Sequence, residues 1–367
     1  MKELNKIIGE NLRRERIASG VTQKQIAEKI GYSEKSISKW EAGSGVPGIE
    51  TLLTLANLFN TDIKTLVYKN ESATFYLGID GGGTKTHYAL SDSQGNIIRE
   101  HVGDSSNPID IGIEKSKNTL KVNILKITEG INPSNIYAFA GISGGTTGNN
   151  KAILNEFFSQ FGFAAYDNDS DIKSSVALGL GKNNGMIVIM GTGIVGFAVK
   201  GKEFRQIGGW GQFFDAGGGS YNLGKDALYA SLREHDGTGE KTLLTSLIEE
   251  RLKGTVRHNL SDIYEKGKKF IASFSDTVIQ ASQKGDAVAK KILDFNMQEV
   301  AKIINAGVKL IDEKNVTIAF NGGLITKNPF LTEMISSYLN PNYNYNFKMI
   351  TEYQVNGALK IAKELNN

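Results

Sequence analysis

Hydrophobic residues in the segment 76–102 follow the two-residue period that is typical of β-strands. An apolar run ends at Asp80, glycines follow, and residues 86–92 then alternate between polar and apolar positions. A turn at 93–96 leads into a further strand that begins at Ile97. A dinucleotide-binding motif or a P-loop would instead open a helix directly after its glycines. The pattern therefore predicts a β-hairpin whose tip is the glycine run.

The residue types at this hairpin favour phosphate binding. Glycines let the backbone approach a ligand closely, and backbone N–H groups with neighbouring hydroxyls hold phosphate oxygens well. The candidate phosphate-binding residues are Gly82, Gly83, Thr84, Lys85 and Thr86. Asp80, at the end of the strand, is the candidate for a hydrated Mg²⁺ ion. The alternative is an ordinary glycine-rich hairpin without a ligand.

Residues 186–199 repeat this design about a hundred residues further along the chain. An apolar strand, a Gly-Thr-Gly turn and a second strand follow one another. The repeat adds Gly191, Thr192 and Gly193 to the candidate phosphate-binding residues. Two units of this kind in one chain suggest a duplicated fold that clasps a single polyphosphate.

Residues 4–67 have the hydrophobic spacing of helices instead, and we expect five short helices there. Ile37 and Trp40, three residues apart, are expected to face the core of this segment. The second helix and the third begin or end at residues that favour helix boundaries. These boundary residues are Thr22, Gly31 and Ser33.

The segment TQKQIAEKIGYSEKSISKWEAG (22–43) closely resembles the helix-turn-helix of the phage Cro and cI repressors, the XRE family. The resemblance implies that the helix 33–41 enters the major groove of double-stranded DNA, and that a homodimer binds a palindromic operator. A helical bundle that serves protein contacts is the alternative. The candidate DNA-binding residues are Gln23, Ser33, Glu34, Lys35, Ser36 and Lys39.

The chain from about residue 75 onward resembles the N-acetylglucosamine kinases and BadF/BadG-type ATPases of the actin-like superfamily. The motifs that carry the resemblance are GIDGGGTKT (78–86), SSNP (105–108), FAGISGG (139–145), GTG (191–193), GGWG (208–211) and FNGGL (320–324). It implies an all-α helix-turn-helix domain followed by α/β: a duplicated actin-like (ribonuclease H-like) ATPase fold with two lobes around a nucleotide cleft. It also implies ATP and Mg²⁺ as cofactors. The expected domains are 1–67 and 75–367, joined by a linker at 68–74.

The same resemblance implies roles for further residues. Asp171, at the start of a helix, would take a proton from the sugar hydroxyl; a plain helix cap is the alternative role, and Asp169 is the fallback base. The implied sugar-binding residues are Asn107, Gly209, Trp210 and Asp215. Asn107 can equally start the helix that follows it. Gly322 and Gly323, ahead of a helix expected at 328–339, would contact adenosine.

One segment departs from the pattern of these kinases. They commonly continue GDEGSGY after the tryptophan loop, whereas this chain reads FDAGGGSYNLG (214–224), without the acidic pair. Two functions therefore stay open. The first is a DNA-binding transcription regulator whose kinase-like domain phosphorylates N-acetylglucosamine or a related cell-wall amino sugar. The second is a regulator that senses sugar, ATP or both without catalysis.

Composition narrows these possibilities. The 367 residues include no cysteine, which excludes disulfides and the iron–sulfur cluster that BadF-type activators of radical enzymes need. Residues 1–70 hold 11 Lys and Arg against 8 Asp and Glu, and the remaining residues hold 31 of each. The net charge of +3 thus belongs to the segment expected to bind DNA. The start of the sequence has no apolar signal core, so we expect a cytoplasmic protein.

Overall fold

The computed structural model describes residues 2–67 and 74–366. The chain divides into two compact units, Met1–Asn168 with Ala362–Asn367, and Asp169–Ile361. No helix within the described residues combines the length and the apolar character that crossing a membrane requires. The expected linker at 68–74 lies outside the described residues except for Thr74.

Five helices precede that gap, as the hydrophobic spacing predicts. They are α1 (Lys2–Ala18), α2 (Gln23–Ile30), α3 (Glu34–Glu41), α4 (Ile49–Leu58) and α5 (Ile63–Val67). Thr22 and Gln25 form a capping box at the start of α2, and Gly31 ends this helix in the left-handed conformation. Ser33 caps α3 by accepting a hydrogen bond from the Ser36 N–H. The predicted helix boundaries are therefore confirmed.

The helical segment has its own core. Ile37 and Trp40 are buried, as expected, together with apolar side chains of α1, α2 and α4. At the edge of this core the Arg16 guanidinium binds the Glu41 carboxylate, with Nε 2.6 Å from Oε1. The hydrogen bond with Glu41 raises the pKa of Arg16. The ion pair links α1 to the end of α3, so it helps to hold the predicted recognition helix in place.

The rest of the first unit contains a five-stranded sheet with the order β3-β2-β1-β4-β5. Its strands are β1 (Phe75–Gly81), β2 (Lys85–Ser91), β3 (Ile97–Asp104), β4 (Ile136–Ile142) and β5 (Ala165–Asp169), and its helices are α6 (Pro108–Ile111), α7 (Ile113–Ile127) and α8 (Asn150–Ser159). Strand β1 pairs antiparallel with β2 and parallel with β4. Buried side chains of α7 and α8 pack on this sheet.

The second unit contains another five-stranded sheet, of order β10-β9-β6-β7-β8. Its strands are β6 (Gly185–Met190), β7 (Ile194–Lys200), β8 (Glu203–Ile207), β9 (Asn315–Asn321) and β10 (Asn344–Met349). Read from β8, the chain order repeats that of the first sheet, and β6 likewise pairs antiparallel with β7 and parallel with β9. The duplication predicted from the two glycine hairpins is thus present in the topology.

Helices cover both faces of the second sheet. They are α9 (Ile172–Gly179), α10 (Ser220–His235), α11 (Leu243–Leu252), α12 (Leu260–Ala272), α13 (Ser275–Gln283), α14 (Ala287–Ile311), α15 (Gly323–Lys327), α16 (Leu331–Ser336) and α17 (Gln354–Glu364). Met186, Val188 and Met190 of β6 pack against helices on one face, while Ile187 joins a cluster with α9 on the other face. The two-residue period of β6 thus separates two hydrophobic layers.

The helix expected at 328–339 is wrong in its extent. The structure has α15, which ends at Lys327, and then the short α16 from Leu331 to Ser336. Between them Asn328 has φ −131° and ψ 66°, and Pro329 follows it. Proline disfavours the helical conformation in the residue before it, so the chain breaks at Asn328.

We predict that Asn296→Ala destabilises the second unit. Asn296 is fully buried in α14; its Oδ1 accepts from the Gly218 N–H at 2.8 Å, and its Nδ2 donates to Ile292 O at 2.9 Å. The alanine leaves a buried N–H unpaired, which costs about 1–3 kcal/mol of unfolding free energy. Urea unfolding measures this loss. Asn305→Ala, on the same helix but in an exposed pair with Tyr338, should cost much less because water replaces the partner.

Candidate functional site

The first glycine hairpin has the predicted geometry. Strands β1 and β2 are joined by a tight turn in which the Gly82 N–H donates to Lys85 O at 3.0 Å. Asp80 lies opposite His87 in the antiparallel register, next to the tip. Gly83, Thr84 and Lys85 are exposed there. The tip therefore presents backbone and polar groups to a ligand, with Asp80 at its base.

Thr86 does not belong to that exposed set, and its predicted contact with phosphate needs correction. Its side chain is fully buried. The Thr86 Oγ1 donates to Asp104 O at 2.8 Å and also lies 2.8 Å from Ser106 Oγ. The side chain points to the core side of the strand, so its hydroxyl supports the loop after β3. Of the two threonines at the hairpin, Thr84 alone keeps the role that the sequence suggested.

Asn107 lies beside this hairpin and starts α6. Its Oδ1 accepts from the Ile109 N–H at 2.9 Å, and its Nδ2 donates to Asp110 Oδ2 at 2.8 Å. The helix-start alternative is therefore confirmed, while sugar binding by Asn107 stays a prediction. Asp110 is a residue that the sequence analysis missed. A Cβ added to Gly83 would lie 2.8 Å from its Oδ2, so Asp110 brings a negative charge to the glycine tip. The spacing of an Asn cap and an acid three residues later could have indicated it.

The second glycine hairpin joins β6 to β7 and contacts the start of α10. The Ser220 N–H donates to Gly191 O and the Tyr221 N–H donates to Thr192 O, both at 2.9 Å. The first N–H groups of a helix have no partner within the helix. Here two of them bind carbonyl groups of the hairpin, so α10 fixes the position of its tip.

This contact explains a glycine in the segment FDAGGGSYNLG (214–224), which lacks the acidic pair of the related kinases. A Cβ on Gly219 would lie 2.7 Å from the Cα of Gly193, which is closer than packed atoms allow. The Gly218 N–H donates to Asn296 Oδ1 at 2.8 Å. Glycine at 219 is therefore needed for the hairpin and α10 to touch.

Asp215 holds the tryptophan loop together. Its Oδ1 accepts from the Trp210 N–H at 3.0 Å, and its Oδ2 accepts from the Gly211 N–H at 2.8 Å. Both carboxylate oxygens thus bind the loop's own backbone, so Asp215 braces the loop, and its predicted contact with sugar stays a prediction. Three aromatic side chains of this loop are left largely in solvent. They are Trp210, Phe213 and Phe214, which are 63%, 84% and 79% exposed.

A pocket of about 390 Å³ lies at this point of the second unit. It is lined by the Gly191–Gly193 hairpin, Gly209, Asp215 and Lys268, among other residues. The structure thus brings together predicted phosphate-binding and sugar-binding residues. Trp210, Asp171 and the glycines of the FNGGL motif do not line this pocket. Lys268 was missed, because nothing in the sequence around it resembles a known motif.

The FNGGL turn ends β9 next to the second hairpin. Gly322 has φ 101° and lies so close to Met190 that a side chain there would meet its backbone. Met190 directly precedes Gly191 in the chain. The Gly322 N–H is bound by Asn321 Oδ1 at 2.7 Å. The predicted adenosine turn and the predicted phosphate hairpin therefore lie side by side in the second unit.

Asp171 directly precedes α9 as its N-cap residue, at the predicted start of the helix, but its side chain makes no capping hydrogen bond. The cap alternative therefore has no support. Its Oδ1 lies 3.1 Å from Ser170 Oγ. Asp169 Oδ1 instead accepts from the Ser170 N–H at 2.7 Å, so this carboxylate helps to shape the turn between β5 and α9.

Helix α9 is fixed by the chain around it. The buried Ser175 Oγ donates to Gln354 Oε1 at 2.7 Å, and Asn321 Nδ2 lies 3.5 Å from the same hydroxyl. Gly357 of α17 packs directly on the backbone of Ser174. These contacts connect α9, which Asp171 precedes, with the FNGGL turn and with α17.

The predicted DNA-binding residues lie on or beside α3. Glu34, Lys35 and Lys39 are exposed. The Ser33 and Ser36 hydroxyls lie 2.9 Å apart and bind each other, while Gln23 Nε2 donates to Glu41 Oε2 at 2.8 Å. The lysines are therefore open to solvent, whereas the two serines and Gln23 have partners within the domain.

Comparison with known proteins identifies both parts of the chain. The model of the BadF/BadG/BcrA/BcrD ATPase family matches residues 77–359, and a helix-turn-helix model matches residues 12–66. Since the first match covers most of the chain, the protein belongs to the BadF/BadG/BcrA/BcrD ATPase family. It joins to this domain a helix-turn-helix of the XRE type.

Three relatives illustrate the two parts. The N-acetylmuramic acid/N-acetylglucosamine kinase of Clostridium acetobutylicum is 31% identical over 283 residues, which are 73% of this chain and 91% of that protein. The HTH-type transcriptional activator BcrR of Enterococcus faecalis is 37% identical over 65 residues, 18% of this chain and 32% of that protein. The crystal structure of a ROK family transcriptional regulator, a homologue of the E. coli MLC protein, aligns with 99% of this chain and 96% of its own. Its TM-score is 0.53 at 12% identity, a likeness of fold alone.

We predict that Gly193→Val and Gly219→Val fail in different ways. A Cβ at Gly193 meets nothing within 4 Å, so the valine should leave the melting temperature nearly unchanged and obstruct only a phosphate at the hairpin. The valine at 219 collides with Gly193 and should lower both stability and nucleotide binding. Thermal unfolding and titration calorimetry with Mg-ATP measure the two effects. Unchanged ATP affinity in Gly193→Val would show that this hairpin is not a phosphate site.

Proposed function

We propose that this protein is a transcription regulator that also phosphorylates an amino sugar at the expense of ATP. The substrate class is N-acetylglucosamine or N-acetylmuramic acid, the sugars named for the Clostridium acetobutylicum relative. The observation that carries the proposal is the Asp171 carboxylate, which stands at the start of α9 without capping it. A cytoplasmic location, where ATP and operator DNA are both present, completes the proposal.

In the proposed reaction, the sugar hydroxyl attacks the γ-phosphorus of ATP and Asp171 accepts its proton. A new bond forms between the sugar oxygen and phosphorus as the bond to the β-phosphate oxygen breaks, and ADP leaves. Such transfer depends mainly on alignment and charge stabilisation. The backbone at the exposed Gly83 and the half-buried Gly82 is a proposed phosphate-binding element, and the Gly191–Gly193 hairpin is another. The turn at Gly322 and Gly323 would accept the adenosine.

Asp80 would hold Mg²⁺ through water. The described residues include no cluster of three or more metal-binding side chains, and a single carboxylate at the base of the hairpin fits Mg²⁺, which usually keeps several of its waters. Bound there, the ion would neutralise phosphate charge.

Each unit contributes candidate sugar-binding residues on a loop of its own. The Asn107 side chain is held by α6 and Asp110, and Gly209 and Trp210 belong to the loop that Asp215 braces. The exposed Trp210 ring offers an apolar face for a sugar ring. These assignments follow the kinase resemblance and the local geometry together.

One observation favours the second candidate function, a sensor without catalysis. The acidic pair of the related kinases is absent from the segment 214–224, and Asp215 uses both oxygens inside its own loop. A site that has lost acidic sugar ligands could still bind sugar and ATP. The two candidate functions differ only in phosphoryl transfer.

For the DNA part, we propose that a homodimer places α3 of each copy in successive major grooves of a palindromic operator. Support comes from the exposed Lys35 and Lys39 and from the positive charge confined to residues 1–70. Since such binding releases counterions from DNA, its affinity should fall steeply with salt.

We predict that Asp171→Asn lowers turnover by about 10²–10⁴-fold while sugar affinity changes little. The reason is that the carboxylate acts on the proton in the transition state, whereas the amide keeps the size and polarity of the side chain. The measurement is labelled-phosphate transfer from ATP to a panel of amino sugars, with sugar binding followed by calorimetry. Asp169→Asn is the matched control.

Two results would contradict this assignment. Transfer that survives Asp171→Asn but is lost in Asp169→Asn would move the base to Asp169. Binding of sugar and ATP by the unmodified protein without any transfer would favour the sensor.

We predict that Lys35→Ala with Lys39→Ala weakens operator binding at least tenfold and reduces its salt dependence, because two phosphate or base contacts are lost. Gel shifts at several salt concentrations measure this. The paired control is Lys6→Ala with Lys64→Ala, which removes the same charge from α1 and α5. Equal losses in both double variants would mean that α3 is not the recognition helix.

A further inference from the structure

The pocket at the second glycine hairpin contains two charged side chains, Asp215 and Lys268. The Asp215 oxygens are bound by the Trp210 and Gly211 N–H groups. Lys268 has no ion pair among the described residues, and its ammonium group lies over the aromatic ring of Tyr221. Lys268 is therefore a cation of this pocket that forms no salt bridge with the described residues, whereas the carboxylate of Asp215 is bound by backbone N–H groups.

A break in the helical conformation of α12 lies immediately before Lys268. The preceding Gly267 has φ 65° and ψ −156°, which interrupts the helical conformation within Leu260–Ala272. This positive φ is strained for residues other than glycine. Lys268 directly follows this break and lines the pocket, whereas its neighbours Lys266 and Lys269 do not.

Tyr221 connects Lys268 to the hairpin. The Lys268 ammonium lies 6.0 Å from the centre of the Tyr221 ring, and the Tyr221 N–H donates to Thr192 O at the hairpin tip. A cation over an aromatic face gains modest energy at an exposed site, which guides the side chain without consuming its three donors. Lys268 thus stands beside the glycine hairpin with its charge available.

We propose that Lys268 is the phosphate-binding cation of this pocket, acting with the Gly191–Gly193 hairpin. Lysine is a compact positive charge with three N–H donors, which suits a phosphoryl group. The phosphoryl group can come from ATP or from a phosphorylated amino sugar, because both carry the same dianionic end. This inference rests on the proposed function, in which both compounds meet the same domain.

The test is binding of four probes to the full chain by calorimetry: ATP, adenosine, N-acetylglucosamine 6-phosphate and N-acetylglucosamine. Lys268→Gln should weaken binding of the phosphorylated probe that uses the pocket about tenfold or more, and leave its unphosphorylated partner unchanged. Lys268→Arg should restore much of the affinity, and the loss should shrink at high salt. Lys269→Gln, one residue away and outside the pocket, is the matched control.

The outcomes separate the possibilities. A loss confined to ATP assigns the pocket to the nucleotide, and a loss confined to the sugar phosphate assigns it to the phosphorylated sugar. Equal affinities of Lys268→Gln and unmodified protein for both phosphorylated probes would overturn the inference and leave the kinase proposal intact. Absence of phosphoryl transfer by the unmodified protein would refute the kinase proposal alone, since the Lys268 readout is binding.

Discussion

The close contact between the second glycine hairpin and the start of α10 is the constraint on which the site of the second unit depends. It joins Gly193 and Gly219 at a distance that no side chain at 219 would allow. It also provides partners for the Ser220 and Tyr221 N–H groups, which a helix cannot satisfy by itself. Through Gly218 the contact extends to the buried Asn296. The hairpin is therefore held before any ligand arrives, as preorganised binding requires.

This constraint changes how the departure from the kinase pattern should be interpreted. The segment 214–224 lacks the acidic pair of these kinases, and by sequence alone this absence puts the sugar contacts in doubt. In the structure Gly219 is needed for packing, and the nearby Asp226, whose pKa burial raises, is hydrogen-bonded by Asn296. The loop is thus held by close packing and hydrogen bonds. Such a loop is compatible with turnover by a base elsewhere, such as Asp171, and with ligand binding alone.

The sequence predicted most features that depend on local pattern, although the break at Asn328 before Pro329 was missed. Both hairpins followed from two-residue periodicity with glycines, and the caps at Thr22 and Ser33 followed from residue type. It failed where tertiary contacts decide which way a side chain points. Lys268 lines its pocket beside the break at Gly267 and a ring contributed by α10, and its position leaves no signal within a short stretch of sequence. Thr86, by contrast, lies on the face of β2 that also buries Tyr88 and Leu90, which the two-residue period could have indicated.

A regulator responds to a ligand only as far as that ligand binds two states of the protein with different affinity. Retained catalysis would add a second control, because the proposed reaction consumes the sugar and produces its phosphate at the same site. A cation such as Lys268 would distinguish these two compounds, since it gains little from a hydroxyl and much from a dianion. The charge at this pocket would then decide whether substrate or product occupies the protein. A kinase and a sensor would then both use this site to distinguish the sugar from its phosphate. The rate of phosphoryl transfer would decide which of the two functions prevails.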